Sequence, residues 1–379
     1  MTRAEVVPLT DRVRHRLVDT GAGLDTALDD ALRAESTGIV DDAVFARLRR
    51  DVAAELRGAG PLEPLLELAG VTDVLVNAPD SVWLDRGAGM ERSSVGFVDE
   101  AAVRALAQRL AAGAGRRLDD ASPYVDAVLA DGTRLHAVLP PLVPATTLSL
   151  RVLARRPLGV DDLVAGGALP IEIATLLRAL VSARLAFVVT GGTGTGKTTL
   201  LGALLGEVSA RDRLLVIEDA AELVIRHPHV VRLVTRAANV EGAGAVGLRE
   251  LVRQALRMRP DRLVVGEFRG AEMVELLVAL NTGHEGSAAT LHANSAADVP
   301  ARFSALGALA GLPAAAVTSL VASAIDVVVH LHRGRDGRRV VAEIGLLDRG
   351  GDELSVSSVW SHVDGRGAAW LRAERLVSR

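Results

Sequence analysis

The sequence contains no cysteine, which excludes disulfide bonds and thiolate metal sites. Aromatic residues make up only 2% of the 379 residues, so the core must consist mostly of leucine, valine and alanine. No uninterrupted apolar stretch reaches the roughly 18 residues of a membrane span, and the first residues lack the apolar core of a signal peptide. A net charge of −4 gives no overall positive field for nucleic acid. These absences predict a soluble, cytoplasmic protein that does not bind nucleic acid directly.

Lysine is almost absent too: of the 43 lysine and arginine residues, only Lys197 is a lysine. A compact ammonium is required where the wide, planar guanidinium does not fit. Lys197 and its neighbours match the pattern G-x-x-x-x-G-K-[ST] at every fixed position, which predicts a site for a nucleoside triphosphate. The predicted nucleotide-binding residues are Gly191, Gly192, Thr193, Gly194, Thr195, Gly196, Lys197, Thr198 and Thr199.

The flanks of this loop have the pattern that a phosphate site needs. Residues 185–190 form an apolar run typical of a buried parallel strand, and the apolar-rich residues after Lys197 predict a helix. A strand, a glycine loop and a helix start direct backbone N–H groups and a helix dipole at one anion. We expect Lys197 to reach the β- and γ-phosphates and the Thr198 hydroxyl to ligate Mg²⁺.

The sequence predicts three regions. Residues 1–60 form a helical region, in which apolar residues step by four from Val44 to Leu56. Residues 61–155 mix short strands with helices and predict a smaller α+β domain. Residues 156–379 alternate apolar strands with helices and predict an α/β domain that carries the glycine loop.

Acidic residues end two of the predicted strands in the α/β region. Glu218 and Asp219 follow one apolar run, and Glu267 follows another. An enzyme with such a loop needs one acid near Mg²⁺ and one acid that orients or deprotonates the attacking water, and Glu218 and Glu267 are the best candidates. The ordinary alternative is that these acids cap the following helices.

Two histidines, His284 and His292, flank the strand-like residues 287–291 close downstream of Glu267. A metal site is disfavoured because the pair lacks the i,i+4 spacing and the chain lacks cysteine. Hydrogen bonding to a phosphate or to a water is the favoured interpretation. Four other histidines are interpreted as ordinary surface or core residues, namely His227, His229, His330 and His332.

From about residue 55 to 347 the sequence resembles the secretion ATPases of the type II/type IV superfamily, closest to the tight-adherence (Flp) pilus and conjugation-associated branch. Besides the glycine loop, the resemblance is carried by residues 60–62, 71–77, 115–119, 131–134, 217–223, 239–242, 256–262, 266–270 and 281–284. The resemblance implies a P-loop NTPase fold of the RecA-like type for the C-terminal domain, preceded by the smaller α+β domain.

Residue roles follow from the resemblance at matching positions. Glu218 and Asp219 match the acidic box, Glu267 matches the Walker B acid that also ligates Mg²⁺, and His284 and His292 match the histidine box. Arg134 and Arg151 match arginines that reach the phosphates from the N-terminal domain; the alternative for each is a solvated surface charge. The chain departs from the family at Val128, where an arginine is often found.

The resemblance implies a mechanochemical ATPase that uses ATP and Mg²⁺ to power pilus-like assembly or secretion. It also implies a homo-oligomer, a hexamer, that works with a polytopic platform protein at the inner face of the cell membrane. Two alternatives stay open, a conjugal DNA-transfer motor and a regulatory nucleotide-binding subunit of a type IV secretion system. A small-molecule kinase is a more distant third.

Overall fold

The chain divides into two compact units, residues 1–153 and 154–379, in a computed structural model. The structure describes residues 9–10, 12–13, 24–35, 41–87, 89–153, 156–236, 238, 243–281, 283–350 and 353–378. Parts of the motifs quoted above lie outside the described residues, namely residues 239–242 and Thr282, as does most of the predicted region 1–60 before residue 24.

The predicted N-terminal helix is present as α2, Asp42–Arg57, which follows α1, Leu24–Glu35. The Asp41 side chain accepts a hydrogen bond from the Ala43 N–H at 3.2 Å and so caps the start of α2. Leu48 and Val52 of α2 pack with Leu28 and Leu32 of α1 in an apolar cluster of their own. A short 3₁₀ turn at Gly60–Leu62 and helix α3, Glu63–Leu66, then lead into a sheet.

An antiparallel sheet of six strands forms the rest of the first unit, in the order β3-β2-β1-β6-β5-β4. Its strands are β1 (Asp73–Ala78), β2 (Ser81–Asp85), β3 (Met90–Arg92), β4 (Tyr124–Val128), β5 (Arg134–Val138) and β6 (Thr147–Arg151). Alternate residues are buried along the longer strands, and helix α4, Glu100–Gly113, contributes Val103, Leu106 and Leu110 to the same core. The hairpin predicted from residues 74–84 is confirmed as the β1–β2 pair.

The second unit contains a nine-stranded sheet in the order β15-β14-β13-β12-β7-β11-β10-β8-β9. The strands are β7 (Phe187–Thr190), β8 (Leu214–Glu218), β9 (Val230–Val234), β10 (Arg262–Phe268), β11 (Ala288–Leu291), β12 (Val327–Arg333), β13 (Arg339–Gly350), β14 (Glu353–Ser361) and β15 (Gly365–Arg366). Strands β7 to β12 pair in parallel, and β13 to β15 extend the sheet in antiparallel fashion. The parallel order β12-β7-β11-β10-β8 is the RecA-like arrangement, so the predicted α/β P-loop fold is confirmed.

Helices cover both faces of this sheet. They are α5 (Val160–Ala165), α6 (Ile171–Ser182), α7 (Lys197–Leu205), α8 (Leu248–Ala255), α9 (Glu272–Leu280), α10 (Val299–Leu309), α11 (Ala314–Ala324) and α12 (Trp370–Val377). Val189 of β7 belongs to one core cluster and its neighbour Val188 to the other, because successive side chains point to opposite faces. Among the described helices, none combines the length and the apolar character of a membrane span.

Candidate nucleotide-binding site

The glycine loop joins the end of β7 at Thr190 to the start of α7 at Lys197. Its backbone is left-handed at Gly194 and Gly196, with φ of 71° and 95°, a conformation that a side chain disfavours. Gly191 has a φ of 147°, and a Cβ atom there would lie 2.6 Å from the Leu331 carbonyl oxygen. The three glycines therefore let the backbone turn tightly against β12 and into the helix.

Lys197 lies in the first turn of α7 and is only 8% exposed. Its Nζ donates to the carbonyl oxygens of Gly191 at 3.0 Å and Gly192 at 2.9 Å, and lies 3.5 Å from His292 Nδ1. Burial lowers the pKa of this ammonium, and the carboxylate of Glu267 opposes that shift. The single lysine of the chain is thus held against the loop by three acceptors.

His292 connects Lys197 to the acid at the end of β10. Its Nε2 lies 2.9 Å from Glu267 Oε1, while its Nδ1 faces the ammonium. The ammonium can only donate, so this arrangement fits a neutral imidazole that accepts at Nδ1 and donates from Nε2. Burial lowers the pKa of His292, and the charge of Lys197 lowers it further, which favours the neutral form.

Arg269 extends this chain of contacts to the end of β8. Its Nε bonds Glu267 Oε2, and its Nη1 lies 3.4 Å from Asp219 Oδ2. Lys197, His292, Glu267, Arg269 and Asp219 therefore form one connected group. They lie at or just after the carboxyl ends of four neighbouring parallel strands, β7, β11, β10 and β8, where such a sheet usually has its ligand crevice.

Glu218 lies beside this group but bonds elsewhere. It is 3% exposed, and its Oε1 accepts from the backbone N–H groups of Glu222 at 3.0 Å and Leu223 at 2.8 Å. Burial raises the pKa of Glu218, and the two backbone bonds oppose that rise. Its Oε2 is buried and has no hydrogen-bond partner among the described residues. Glu218 thus ties down the segment after β8, which is a loop and not the helix that the capping alternative assumed.

The threonines of the loop have different environments. Thr195 is buried, and its hydroxyl donates to the Gly192 carbonyl at 3.0 Å, which braces the loop from within. Thr198 is partly buried in the first turn of α7, whereas Thr193 and Thr199 are exposed. Thr198 therefore has the position and exposure that a metal-ligating hydroxyl requires.

The structure does not bring His284 to the connected group. His284 precedes β11, while His292 follows it, so the length of that strand separates the two histidines. The Nδ1 of His284 lies 3.0 Å from the Ala279 carbonyl near the end of α9, and its own carbonyl accepts from the Ser287 hydroxyl at 2.8 Å. His284 is thus anchored at the amino edge of the sheet, opposite the glycine loop.

Arg134 and Arg151 lie in the first unit, directly opposite each other on β5 and β6. Arg151 Nε forms an ion pair with Asp73 Oδ1 at 3.1 Å. Val128 of β4 lies opposite Arg134. The position where the family often has an arginine therefore continues the row formed by Arg134 and Arg151. This row places residues 128, 134 and 151 on one face of the sheet.

Sequence reasoning missed two residues of this region. Arg269 was not named as a site residue, although the motif 266–270 contains it. His330 fits the ordinary core residue that was predicted, since it is 6% exposed and its Nδ1 lies 2.9 Å from the Thr190 hydroxyl. Arg339 of β13 donates from Nε to the Gly194 carbonyl at 2.8 Å, and no sequence pattern indicated it.

Two bacterial proteins are similar in sequence to most of this chain. A protein of Mycobacterium tuberculosis (strain H37Rv), whose name assigns it to conjugal transfer, is 57% identical over 331 residues, which cover 86% of this chain and 94% of that protein. The type IV secretion system protein PtlH of Bordetella pertussis (strain Tohama I) is 33% identical, with 76% of this chain and 93% of that protein covered.

A solved structure and a family model agree with these relatives. The pilus retraction motor PilT with bound ADP matches with a TM-score of 0.53 over 80% of this chain and 82% of that chain; at 21% identity the likeness concerns the fold alone. The family model described as "Type II/IV secretion system protein" matches residues 55–353. The chain therefore belongs to the type II/IV secretion system protein family.

Proposed function

We propose that the chain hydrolyses ATP in the presence of Mg²⁺ at the carboxyl edge of its parallel sheet. The observation that carries this proposal is the connected group of Lys197, His292, Glu267, Arg269 and Asp219 beside a loop of three constrained glycines. A buried ammonium next to backbone N–H groups suits a polyphosphate. An acid held by a neutral histidine suits the orientation or deprotonation of a water.

The residues present fit a magnesium ion bound together with a nucleotide. Mg²⁺ usually takes one or two protein ligands and completes its shell with substrate phosphates and waters. Thr198 and Glu267 would be these ligands, and the described residues contain no cluster of three histidines or acids that would make an all-protein cage. When bound, the ion would neutralise charge that develops on the phosphates.

Glu267 is the proposed catalytic carboxylate of this site. Both of its carboxylate oxygens are engaged, one by His292 and one by Arg269, so its orientation is fixed from two sides. Each carboxylate oxygen keeps a second lone pair, which stays available for a metal ion or a water. Of the two partners, Arg269 is the more exposed, with 58% of its side chain accessible against 38% for His292.

The remaining predicted residues have proposed roles other than that of Glu267. Glu218 holds the loop after β8 in place through its two backbone bonds. Arg134 and Arg151 are proposed to contribute positive charge to the phosphates during turnover, since a guanidinium spreads over several oxygens in a loose transition state. His284, at the opposite edge of the sheet, has no proposed step in the reaction.

We propose that hydrolysis powers a pilus-like assembly or secretion machine of the tight-adherence type. In this proposal the chain acts as a homohexamer at the inner face of the cell membrane, against a polytopic platform protein. The names of the two relatives, which refer to conjugal transfer and to type IV secretion, favour a second candidate, a conjugal DNA-transfer motor.

Phosphate release by the purified full chain with Mg²⁺ and ATP, and no other acceptor, tests the proposed activity. We expect steady release by the wild type and none by Lys197→Ala. Addition of single-stranded DNA separates the two candidate machines, since a DNA-transfer motor should be stimulated and a pilus-type motor should not. Absence of release under all conditions, from a chain that binds ATP, would support the regulatory-subunit alternative instead.

A further inference from the structure

The hairpin formed by β12 and β13 lies against the glycine loop. Strand β12 pairs in parallel with β7 up to His330 and Thr190, and its next residue, Leu331, lies beside Gly191. Arg333 at the end of β12 pairs with Arg339 at the start of β13. Backbone bonds at 2.8 Å and 3.0 Å within the turn, from Gly334 to Arg338 and from Gly337 to Gly334, hold this end of the hairpin together.

Both arginines of this pair reach the tip of the glycine loop. Arg339 Nε donates to the Gly194 carbonyl at 2.8 Å, and its Cδ lies 3.5 Å from the point where a Cβ of Gly196 would stand. Arg333 Nη1 lies 3.5 Å from the corresponding point at Gly194. The loop tip is therefore flanked by two guanidinium groups from one hairpin, in addition to Lys197 at its base.

Arg333 and Arg339 place two like charges opposite each other on β12 and β13. Like charges directly opposite each other on neighbouring strands are destabilising. Among the described residues, Arg339 has no carboxylate within ion-pair distance, whereas its neighbour Arg338 points to Asp336 at 3.7 Å. Two guanidinium groups beside one phosphate-type loop favour an anion at that loop.

The hydrogen bond from Arg339 fixes the orientation of one peptide group in the glycine loop. The Gly194 carbonyl and the Thr195 N–H belong to the same planar, trans peptide, so they point to opposite sides. A donor that fixes the carbonyl also fixes the N–H, and a guanidinium at the oxygen polarises that peptide in the sense that strengthens donation to an anion. Arg339 thus braces the loop from outside while the N–H faces away from the hairpin.

We propose that Arg339 is a positioning residue for the polyphosphate of a bound nucleotide, and that Arg333 adds to the positive field at the same loop tip. This inference rests on the proposed function. In this proposal the two arginines strengthen nucleotide binding and do not take part in the chemical step, because Arg339 acts through the loop backbone.

Nucleotide affinity and turnover of full-length variants test the inference. The binding of a fluorescent ATP analogue gives Kd, and phosphate release at saturating ATP gives kcat. We expect Arg339→Ala to raise Kd about tenfold, equal to about 1.4 kcal/mol, with kcat within about twofold of wild type. Arg339→Lys, which keeps a charged donor, should recover more affinity than the neutral Arg339→Gln. Arg333→Gln should raise Kd by a smaller factor and make it less sensitive to salt.

Arg338→Ala is the matched control, because this exposed arginine lies in the same turn and should leave Kd and kcat unchanged. Thermal unfolding of every variant checks that it is folded. If Arg339→Ala does not fold, the comparison of Kd between Arg339→Lys and Arg339→Gln replaces it. An unchanged Kd in Arg339→Ala, or a loss of kcat without loss of affinity, would overturn the inference. A wild-type chain that binds no nucleotide would instead refute the proposed function.

Discussion

Charged side chains are buried at both edges of the parallel sheet in the second unit, but the two edges use them differently. At the amino edge, Arg262 is 2% exposed and donates to Asp212 at 3.1 Å and to the carbonyls of Gly286 at 3.3 Å and Val181 at 3.0 Å. Arg184 takes the second oxygen of Asp212 at 2.7 Å. Each guanidinium nitrogen of Arg262 has an acceptor, so this network is closed.

At the carboxyl edge, the buried Lys197 belongs to a network that we call open, because it ends in an exposed side chain. Its contacts run through His292 and Glu267 to Arg269, whose side chain is 58% exposed, and on to Asp219. It also lies against a backbone loop with left-handed glycines and not against a carboxylate partner of its own. The comparison teaches that burial of a charge does not by itself mark a site. What distinguishes the candidate site is a buried charge that contacts a glycine-rich backbone loop and is linked to an accessible side chain.

The largest effect is expected for substitution of Lys197 at the carboxyl edge, which should reduce turnover but not stability. Lys197→Arg keeps the charge, but the planar fork does not fit where Nζ meets two loop carbonyls and His292. We expect turnover to fall at least about 1,000-fold, or about 4 kcal/mol, measured as phosphate release. The thermal midpoint should stay close to that of the wild type. Turnover above about a tenth of the wild-type rate would contradict the role of the compact ammonium.

The opposite result is expected at the amino edge. Arg262→Leu leaves Asp212 buried with Arg184 as its remaining cation, so the free energy of unfolding should fall by about 3 kcal/mol. Turnover per folded subunit should be unchanged at a temperature where the variant is folded. Chemical denaturation and phosphate release measure the two quantities. Arg338→Leu, at an exposed arginine, is the control and should change stability by less than about 0.5 kcal/mol.

The pH dependence of turnover should report His292. Its pKa is lowered by burial and by Lys197, so the neutral form persists below the ordinary histidine value of about 6.5. As the pH falls through the lowered pKa, protonation places a second cation 3.5 Å from Lys197 Nζ and removes the acceptor at Nδ1. We therefore expect a loss of about tenfold on the acid side of the profile, with a midpoint below 6.5.

His292→Asn is the variant that checks this assignment. Its turnover should be lower than that of the wild type and flat across the same acid window, while circular dichroism confirms that it remains folded. An acid limb with the same midpoint in the variant would assign the titration to another group.

The smallest effect is expected at the exposed end of the open network. Arg269→Gln removes the ion pairs to Glu267 and Asp219 but leaves His292 to orient the acid. Because surface ion pairs contribute little, turnover should fall about threefold, roughly 0.7 kcal/mol. Arg253→Gln is the matched control, since this arginine has similar exposure and pairs with Glu275 at 3.1 Å. Equal effects of the two substitutions would show that Arg269 has no special link to the site.

Much of this fold follows from local patterns in the sequence. The apolar run before Gly191 became β7, the apolar residues after Lys197 became α7, and the turn-rich residues 77–80 became the β1–β2 hairpin. These predictions depend on neighbours in sequence, namely glycine at left-handed positions and apolar periodicity. The antiparallel extension β13–β15 carried no comparable motif and was not predicted.

Contacts between distant parts of the sequence were not predictable in the same way. The bonds of Arg262 to Val181 and of Arg339 to Gly194 join residues 81 and 145 positions apart, and nothing in either neighbourhood signals the partner. The two histidines at 284 and 292 looked equivalent because both flank one strand, yet a parallel strand sends its two ends to opposite edges of the sheet. The residues of the loop and the candidates Asp219, Glu267 and His292 were identifiable from sequence. The role of Arg269 and the contacts that join these residues to Lys197 required the fold.

The measurement that tests the account most directly compares nucleotide binding with hydrolysis in Glu267→Gln. The amide keeps the size of the side chain and can still contact His292, but it is neither a base nor a strong ligand of Mg²⁺. We predict that Kd for a fluorescent ATP analogue stays within about threefold of the wild-type value, roughly 0.7 kcal/mol, while phosphate release falls about 100-fold. Hydrolysis at the wild-type rate by this variant would contradict the assignment of Glu267, and with it the proposal that the connected group at the carboxyl edge carries out the reaction.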